Sequence, residues 1–410
     1  ALTDGLPMVP IFFNTAGAAA IILAMYVALG EQKGVAPASI MGAFTNDILT
    51  VYVCRGTWIF PPRPSLRLIT DMVEYCCRHM PRFYPLNVQG VYFRSAGATI
   101  PQEVGYTFAD ALTYVDGALE RGLPIDAFAP RLSFFLACGP EIFAEAAKFR
   151  AARRLWAKLM RDRYHATSKD SMRFRTTGAT GGRYFQAIEP LNNLTRAAYG
   201  ILGAVLGGAQ ATFVAGYDEA YAIPNEESAL LGLRGLQILQ EETDVARTID
   251  PLGGSYYVEH LTDYIERESL SYVEDIAAHG GTVRCIESGY TRRQLDDQLS
   301  RQMEKMRSGQ TVLVGVNKYA ATHGKEPEIA FHQHDPAVTD RQRERLRQLR
   351  RERSTEHVRT SLDAIKRAAT GHENLIPHFI EAVKAYTTLG EIVGALKQVF
   401  GTFKDPNARL

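Results

Sequence analysis

Six times between residues 8 and 216 a short apolar run is followed by a stretch with helical periodicity, at a spacing of about 35–40 residues. The runs read MVPIFF, IMGAFTND, LNVQGVYF, FAPRLSFFLA, SMRFRTT and AQATFVAG. Helical patterns lie between them, among them AGAAAIILAMYVALG, SLRLITDMVEYCCRHM and NNLTRAAYGILGAVLG. Strands separated by whole helices are joined by crossovers, so they lie parallel in one α/β arrangement. Alternation this regular predicts a (β/α) TIM-type barrel rather than an open doubly wound sheet. Eight units close such a barrel and six are legible. The expectation is therefore a barrel over residues 1–260 that lacks the first two β/α units, then a mostly helical C-terminal extension over 261–410.

Charge narrows the partners. Across 410 residues the net charge is +1, with 46 % hydrophobic and 22 % charged residues, which is ordinary globular composition and no nucleic-acid binder's excess of Lys and Arg. The arginine-rich run at 339–368 carries interleaved Asp340, Glu344, Glu352 and Glu356, the pattern of a solvated helix with i,i+4 pairs. Five cysteines without a C-x-x-C pair point to buried thiols in a reducing, cytoplasmic setting. No charge occurs from Gly5 to Gly30. Pro7, Pro10 and Asn14 interrupt that segment, leaving about 15 apolar residues where a membrane span needs about 20. A strand and a core helix are expected there, with no membrane crossing.

In a barrel of this kind reacting groups gather at the C-terminal ends of the strands. The residues expected there are Thr45, Asn46 and Asp47, Tyr92 and Arg94, Arg131 and Ser133, Arg175 and Thr177, and Gln210 and Glu219. Arginines and hydroxyls dominate this set and histidines are missing from it, which gives little support to a hydrolytic triad or a metal cluster. Arginines on separate strand ends suit an anionic ligand, because guanidinium matches carboxylate and phosphate bidentately. The stretch RTTGATGGRYF, residues 175–185, reads as a glycine-rich loop: an anion cradle, a cofactor contact, or a turn. It lacks the lysine of a nucleotide-binding P-loop.

Longer strings are more specific. NDIL, IFPPRPSLRLITDM, FAPRLSFF, KFRAARRLWAKLM, GYDEAYAIP, DPLGGSYYVE and VGVNKY occur in order over nearly the whole chain. Together they resemble the large subunit of the methylmalonyl-CoA mutase family. That resemblance implies a (β/α)8 barrel with an acyl-CoA threaded along its axis. It also implies adenosylcobalamin-dependent radical rearrangement of a branched acyl-CoA, with the cofactor carried by a separate cobalamin-binding subunit or a paired mutase chain; no cobalamin-binding domain is recognisable here. Arg55 falls where family members grip a substrate carboxylate. Arg131 and Ser133 match coenzyme A contacts, Arg175 opens the strand-seven motif, and Gln210 and Glu219 match positions lining the coenzyme A and corrin faces. Other positions depart from the pattern. Tyr92 stands in place of the family histidine, Thr45 in place of a glutamine, and Thr177 and Ala179 in place of a histidine and a glutamine facing the cofactor. Phe213 and Ala215 replace a histidine and an asparagine. These changes leave a second expectation open, a catalytically impaired or truncated chain acting as structural partner of an active mutase.

Overall fold

The computed structural model describes residues 10–320 and 335–407, so the first two residues of MVPIFF lie outside it. The chain divides into two compact units. One comprises residues 10–88, 112–132 and 335–407, and the other residues 89–111 and 133–320, among those described.

In the first unit β1 (Ile11–Asn14), β2 (Gly42–Thr45) and β3 (Phe83–Tyr84) pair in parallel in that order. The helix Ala19–Gln32 follows β1, as the apolar run predicts, and it is buried rather than membrane-spanning in length. Phe13 stacks on Phe44 at 4.8 Å and meets Tyr26 edge-on at 5.2 Å, so the strand faces carry an aromatic core. Asp47 caps the helix Ile48–Cys54 and accepts the Tyr114 hydroxyl at 2.8 Å. The helix Pro62–His79 is tied to the C-terminal helices through Asp71, which pairs with Arg121 and accepts the Leu375 N–H at 3.1 Å. Burial pushes the Asp71 carboxyl up to about 6, against the pull of Arg121.

Strand β4 (Leu86–Gln89) is followed at once by the helix Gly90–Ser95. LNVQGVYF is thus half strand and half helix, and Tyr92 is helical. In the second unit β5 (Leu132–Ala137), β6 (Thr176–Thr180) and β7 (Ala211–Val214) pair in parallel in sequence order, with Phe135 opposite Thr177 and Thr177 opposite Ala211. Phe134 packs with Phe108, Trp156 and Phe174 at centroid distances of 5.7, 4.8 and 4.5 Å. The helices Ile142–Lys158 and Tyr256–Ala278 are clamped by Arg150, which reaches Asp250 at 2.8 Å and Glu259 at 2.7 Å.

Three sequence expectations shift. SMRFRTT starts in the last two residues of a short helix, Lys169–Met172, passes through an irregular link at Arg173–Arg175 and ends in the strand, which is largely the stretch read as a loop: β6 is TTGAT. TVLVGVNKY forms a turn with an isolated bridge between Val314 and Lys318. The run at 339–368 is two helices, Pro336–Glu352 and Thr355–Thr370, broken at Ser354, which caps the second.

Candidate functional site

The most elaborate polar construction in the second unit lies under the C-terminal end of β5. Lys148 and Glu145, three residues apart on the helix Ile142–Lys158, and Glu103, on the helix Ile100–Glu120, are all fully buried. Lys148 Nζ lies 3.0 Å from Glu103 Oε2 and 2.5 Å from Glu145 Oε2, and it donates to the Ala137 carbonyl. Glu103 accepts the Ala137 N–H at 2.7 Å and Glu145 accepts the Gly139 N–H at 3.0 Å. Arg94 completes the set, 3.6 Å from each carboxylate. Two cations and two anions therefore balance, and every strong contact also fixes backbone at the end of β5. Burial alone would push the Lys148 ammonium down, but Glu103 and Glu145 outweigh it and hold it above the usual lysine range.

Arg94 extends the construction to the end of β6. It donates to the Tyr184 hydroxyl and, at 2.8 Å, to the Ala98 carbonyl. Burial pushes the Tyr184 phenol up, so it stays neutral; it accepts from Arg94 and keeps its own proton to donate. The loop between β6 and Tyr184 turns on Gly181 (φ 133°) and Gly182 (φ 56°). A side chain at Gly181 would run into Glu219 and lie 2.8 Å from the Ala215 Cβ. Glu219, just after β7, accepts the Gly182 N–H at 2.5 Å.

The expected site residues fall into distinct places. Thr45 ends β2, buried, donating to Asn14 Oδ1 at 2.9 Å. Arg55 is exposed just past the helix Ile48–Cys54. Tyr92 is half-buried in its helix. Glu219 lies beyond the C-terminal end of β7, and Thr177 and Ala179 share one face of β6. Four positions require correction, because they lie at or near the N-terminal strand ends. Arg131 precedes β5 and donates to the carbonyls of Cys76 at 3.0 Å and Ala127 at 2.6 Å. Ser133 is the second residue of β5. Arg175 precedes β6 and pairs with Asp170 at 3.2 Å. Gln210 precedes β7 and accepts the Thr176 N–H at 2.7 Å. Strand runs read two to five residues too early, four in the case of FAPRLSFFLA, carried these residues to the wrong end.

Sequence reading missed the buried charge cluster except for Arg94. A signal was present: Glu145 and Lys148 stand in line with Phe149 and Ala152, on a helix face that is otherwise apolar.

A profile of the methylmalonyl-CoA mutase family matches residues 1–402, nearly end to end. The chain belongs to this family. It is 38 % identical over 401 residues to the 2-hydroxyisobutanoyl-CoA mutase large subunit of Aquincola tertiaricarbonis, covering 98 % of this chain and 71 % of that one. It is 37 % identical over 405 residues to the methylmalonyl-CoA mutase of Rhizobium meliloti, covering 98 % of this chain and 57 % of the relative. Against the methylmalonyl-CoA mutase of Escherichia coli the identity is 37 % over 391 residues, and 54 % of the relative is covered. This mutase-family chain thus spans between about half and seven-tenths of the relatives' length.

Proposed function

We propose that this chain is the barrel part of an acyl-CoA mutase large subunit, isomerising a branched acyl-CoA by carbon-skeleton rearrangement. The observation that carries the reading is the family likeness over 98 % of the chain, to relatives named for that reaction. Residues 1–260 would belong to the barrel, and 261–410 to the helical extension. Adenosylcobalamin would be presented by a separate cobalamin-binding subunit or a paired mutase chain, in the cytoplasm. No helix among the described residues is long and apolar enough to cross a membrane.

The residues at the ends of β6 and β7 fit such a cofactor. Thr180 Oγ1 is buried with no partner among the described residues, and it lies in a strand end whose neighbours Ala179 and Ala215 are small and apolar. Glu219, Thr177 and Ala179 would face the cofactor, which supplies the radical by homolysis of its cobalt–carbon bond; the protein's share is orientation and burial. The cluster of Arg94, Glu103, Glu145 and Lys148 fixes the strand ends, and Tyr184 holds a neutral O–H there. In the other unit Arg55 would take the free carboxylate of a dicarboxylic acyl group. Arg131, Ser133, Arg175, Thr45 and Gln210 would contact the coenzyme A chain, as the family resemblance implies. Tyr92 would donate to the thioester carbonyl.

A second reading is favoured by one observation: Thr177, Ala179, Phe213 and Ala215 leave little polarity where the resembled motif is polar. It makes the chain a non-catalytic structural partner of an active mutase. Calorimetric titration separates the two. The mutase reading expects methylmalonyl-CoA to bind, and Arg55→Gln to weaken it by about 1.5–3 kcal/mol while isobutyryl-CoA binding holds. Equal loss for both makes Arg55 structural, and no binding of either favours the second reading.

A further inference from the structure

In the first unit, the link between the helices Ile48–Cys54 and Pro62–His79 carries Arg55 at its start. Arg55 and Gly56 still hold the helix through N–H bonds to the Val51 carbonyl at 3.0 and 3.1 Å, and Gly56 (φ 66°) then turns the chain away. Thr57, Trp58 and Ile59 make no backbone hydrogen bond among the described residues. Arg55, Gly56 and Thr57 are exposed. The course of this link is therefore set by side-chain anchors, not by a helix or a strand ladder.

Tyr52, in the turn of helix before Arg55, closes the base of the link: its hydroxyl donates to the Phe60 carbonyl and lies 2.8 Å from Ser65 Oγ. Ile59 lies against Gly17. The remaining anchors come from the C-terminal segment. Trp58 stacks on Tyr52 at 5.3 Å, and Phe403 stands edge-on to these two rings at 5.5 and 5.4 Å. Trp58 Nε1 donates to the Phe403 carbonyl at 3.1 Å, so the contact fixes backbone as well as ring. Phe400 meets Phe60 edge-on at 5.6 Å. Between the two phenylalanines Gly401 (φ 74°) ends the helix Leu389–Phe400, and that left-handed turn lets Phe403 lie on Trp58. Edge-on aromatic pairs contribute beyond the area they bury.

We propose that residues 400–403 are a strap that positions Arg55 for its acyl ligand, with Phe403, acting through Trp58, as a positioning residue that sets acyl selectivity. This rests on the reading of Arg55 as the grip on the free carboxylate of a dicarboxylic acyl group. A guanidinium on a link without backbone hydrogen bonds samples many placements, whereas a bidentate pair with a carboxylate needs one. Holding Trp58, three residues after Arg55, removes that freedom before the ligand arrives. Only an acyl group that carries a carboxylate uses Arg55. Loosening the strap therefore weakens a dicarboxylic acyl-CoA and spares an uncharged one.

The test is a double-mutant cycle read by calorimetric titration with methylmalonyl-CoA and isobutyryl-CoA. Phe403→Ala should weaken methylmalonyl-CoA binding by about fivefold or more and leave isobutyryl-CoA within about twofold. Phe403→Tyr, which keeps the ring, should restore the first affinity. In an Arg55→Gln background, Phe403→Ala should add less than about a twofold loss. Trp58→Phe keeps an aromatic ring and deletes the bond to the Phe403 carbonyl; this milder variant should move methylmalonyl-CoA binding in the same direction. Labelling with 5-fluorotryptophan gives resonances from Trp58 and Trp156 alone. The Trp58 line should shift with methylmalonyl-CoA and not with isobutyryl-CoA, and Phe403→Ala should move it in the free protein. Equal loss for both acyl-CoAs, a loss that multiplies with that of Arg55→Gln, or a Trp58 line indifferent to Phe403→Ala overturns the proposal. An Arg55→Gln variant that treats both acyl-CoAs alike overturns the carboxylate role of Arg55 and the selectivity drawn from it. The two failures are distinguishable, because in the second the free Trp58 line still responds to Phe403→Ala.

Discussion

Replacing Lys148 with methionine keeps most of the side-chain volume and removes one charge from a fully buried group of four. Glu103 and Glu145 then lose contacts of 3.0 and 2.5 Å and retain only Arg94, 3.6 Å from each. The Ala137 carbonyl loses its lysine donor as well. Breaking a buried ion group by deleting one partner costs about 3–5 kcal/mol, since the remaining charge is stranded away from water. The unfolding of this unit can be followed alone: Trp156 is buried in it, and the other tryptophan, Trp58, belongs to the first unit. In a Trp58→Phe background, Trp156 fluorescence in urea should show the midpoint falling by about 1–2 M for a slope of about 2–3 kcal/mol/M. Adding Glu145→Gln should restore at least half of the loss, leaving Glu103 and Arg94 as a neutral pair. A midpoint shift below about 0.3 M, or no recovery in the double variant, would refute the claim that this cluster is a closed, charge-balanced support.

Gly181→Ala places a side chain at φ 133°, against Glu219 and 2.8 Å from the Ala215 Cβ; the expected loss is about 1–3 kcal/mol, read as a lowered melting temperature, and an unchanged one would mean that the loop relaxes freely. Arg353, at 2.6 Å, holds the Glu391 carboxyl down to about 2. A depressed carboxylate stabilises the fold above its ordinary range and loses that contribution as pH falls from about 4.5 towards 2. Melting temperatures of wild type and Arg353→Ala should therefore differ at pH 6, draw together as pH falls below about 4.5 and converge only towards pH 2, whereas a constant difference would contradict the pairing.

How far the sequence foretold this fold depended on the range of the forces involved. Helices such as Ala19–Gln32 and Asn192–Leu206 follow from local periodicity, and they lie where the apolar spacing places them. Strand ends are less local. RTTGATGG looks like a turn because of its glycines, but Gly178 is inside β6 for a tertiary reason: a side chain there would press to 2.9 Å against the Ala204 Cβ and Cys138 Sγ. Packing thus overrode turn chemistry, and the β-branched Thr176, Thr177 and Thr180 were the better guide to the strand. Misplaced strand starts likewise moved Arg131 and Arg175 to the opposite end of the sheet. The charge cluster joins Arg94, Glu103, Glu145 and Lys148 across three helices, so no short motif could contain it. Asp47 shows the intermediate case. Its capping role is readable from the following helix, but its bond to Tyr114, 67 residues away, is not.

The mutase reading is tested most directly by cobalt spectroscopy. The chain is combined with a cobalamin-binding mutase subunit, adenosylcobalamin and methylmalonyl-CoA, and electron paramagnetic resonance is recorded. The reading predicts a substrate-dependent cob(II)alamin signal coupled to an organic radical. Absence of that signal, with the same subunit and cofactor competent beside another mutase large subunit, would contradict it.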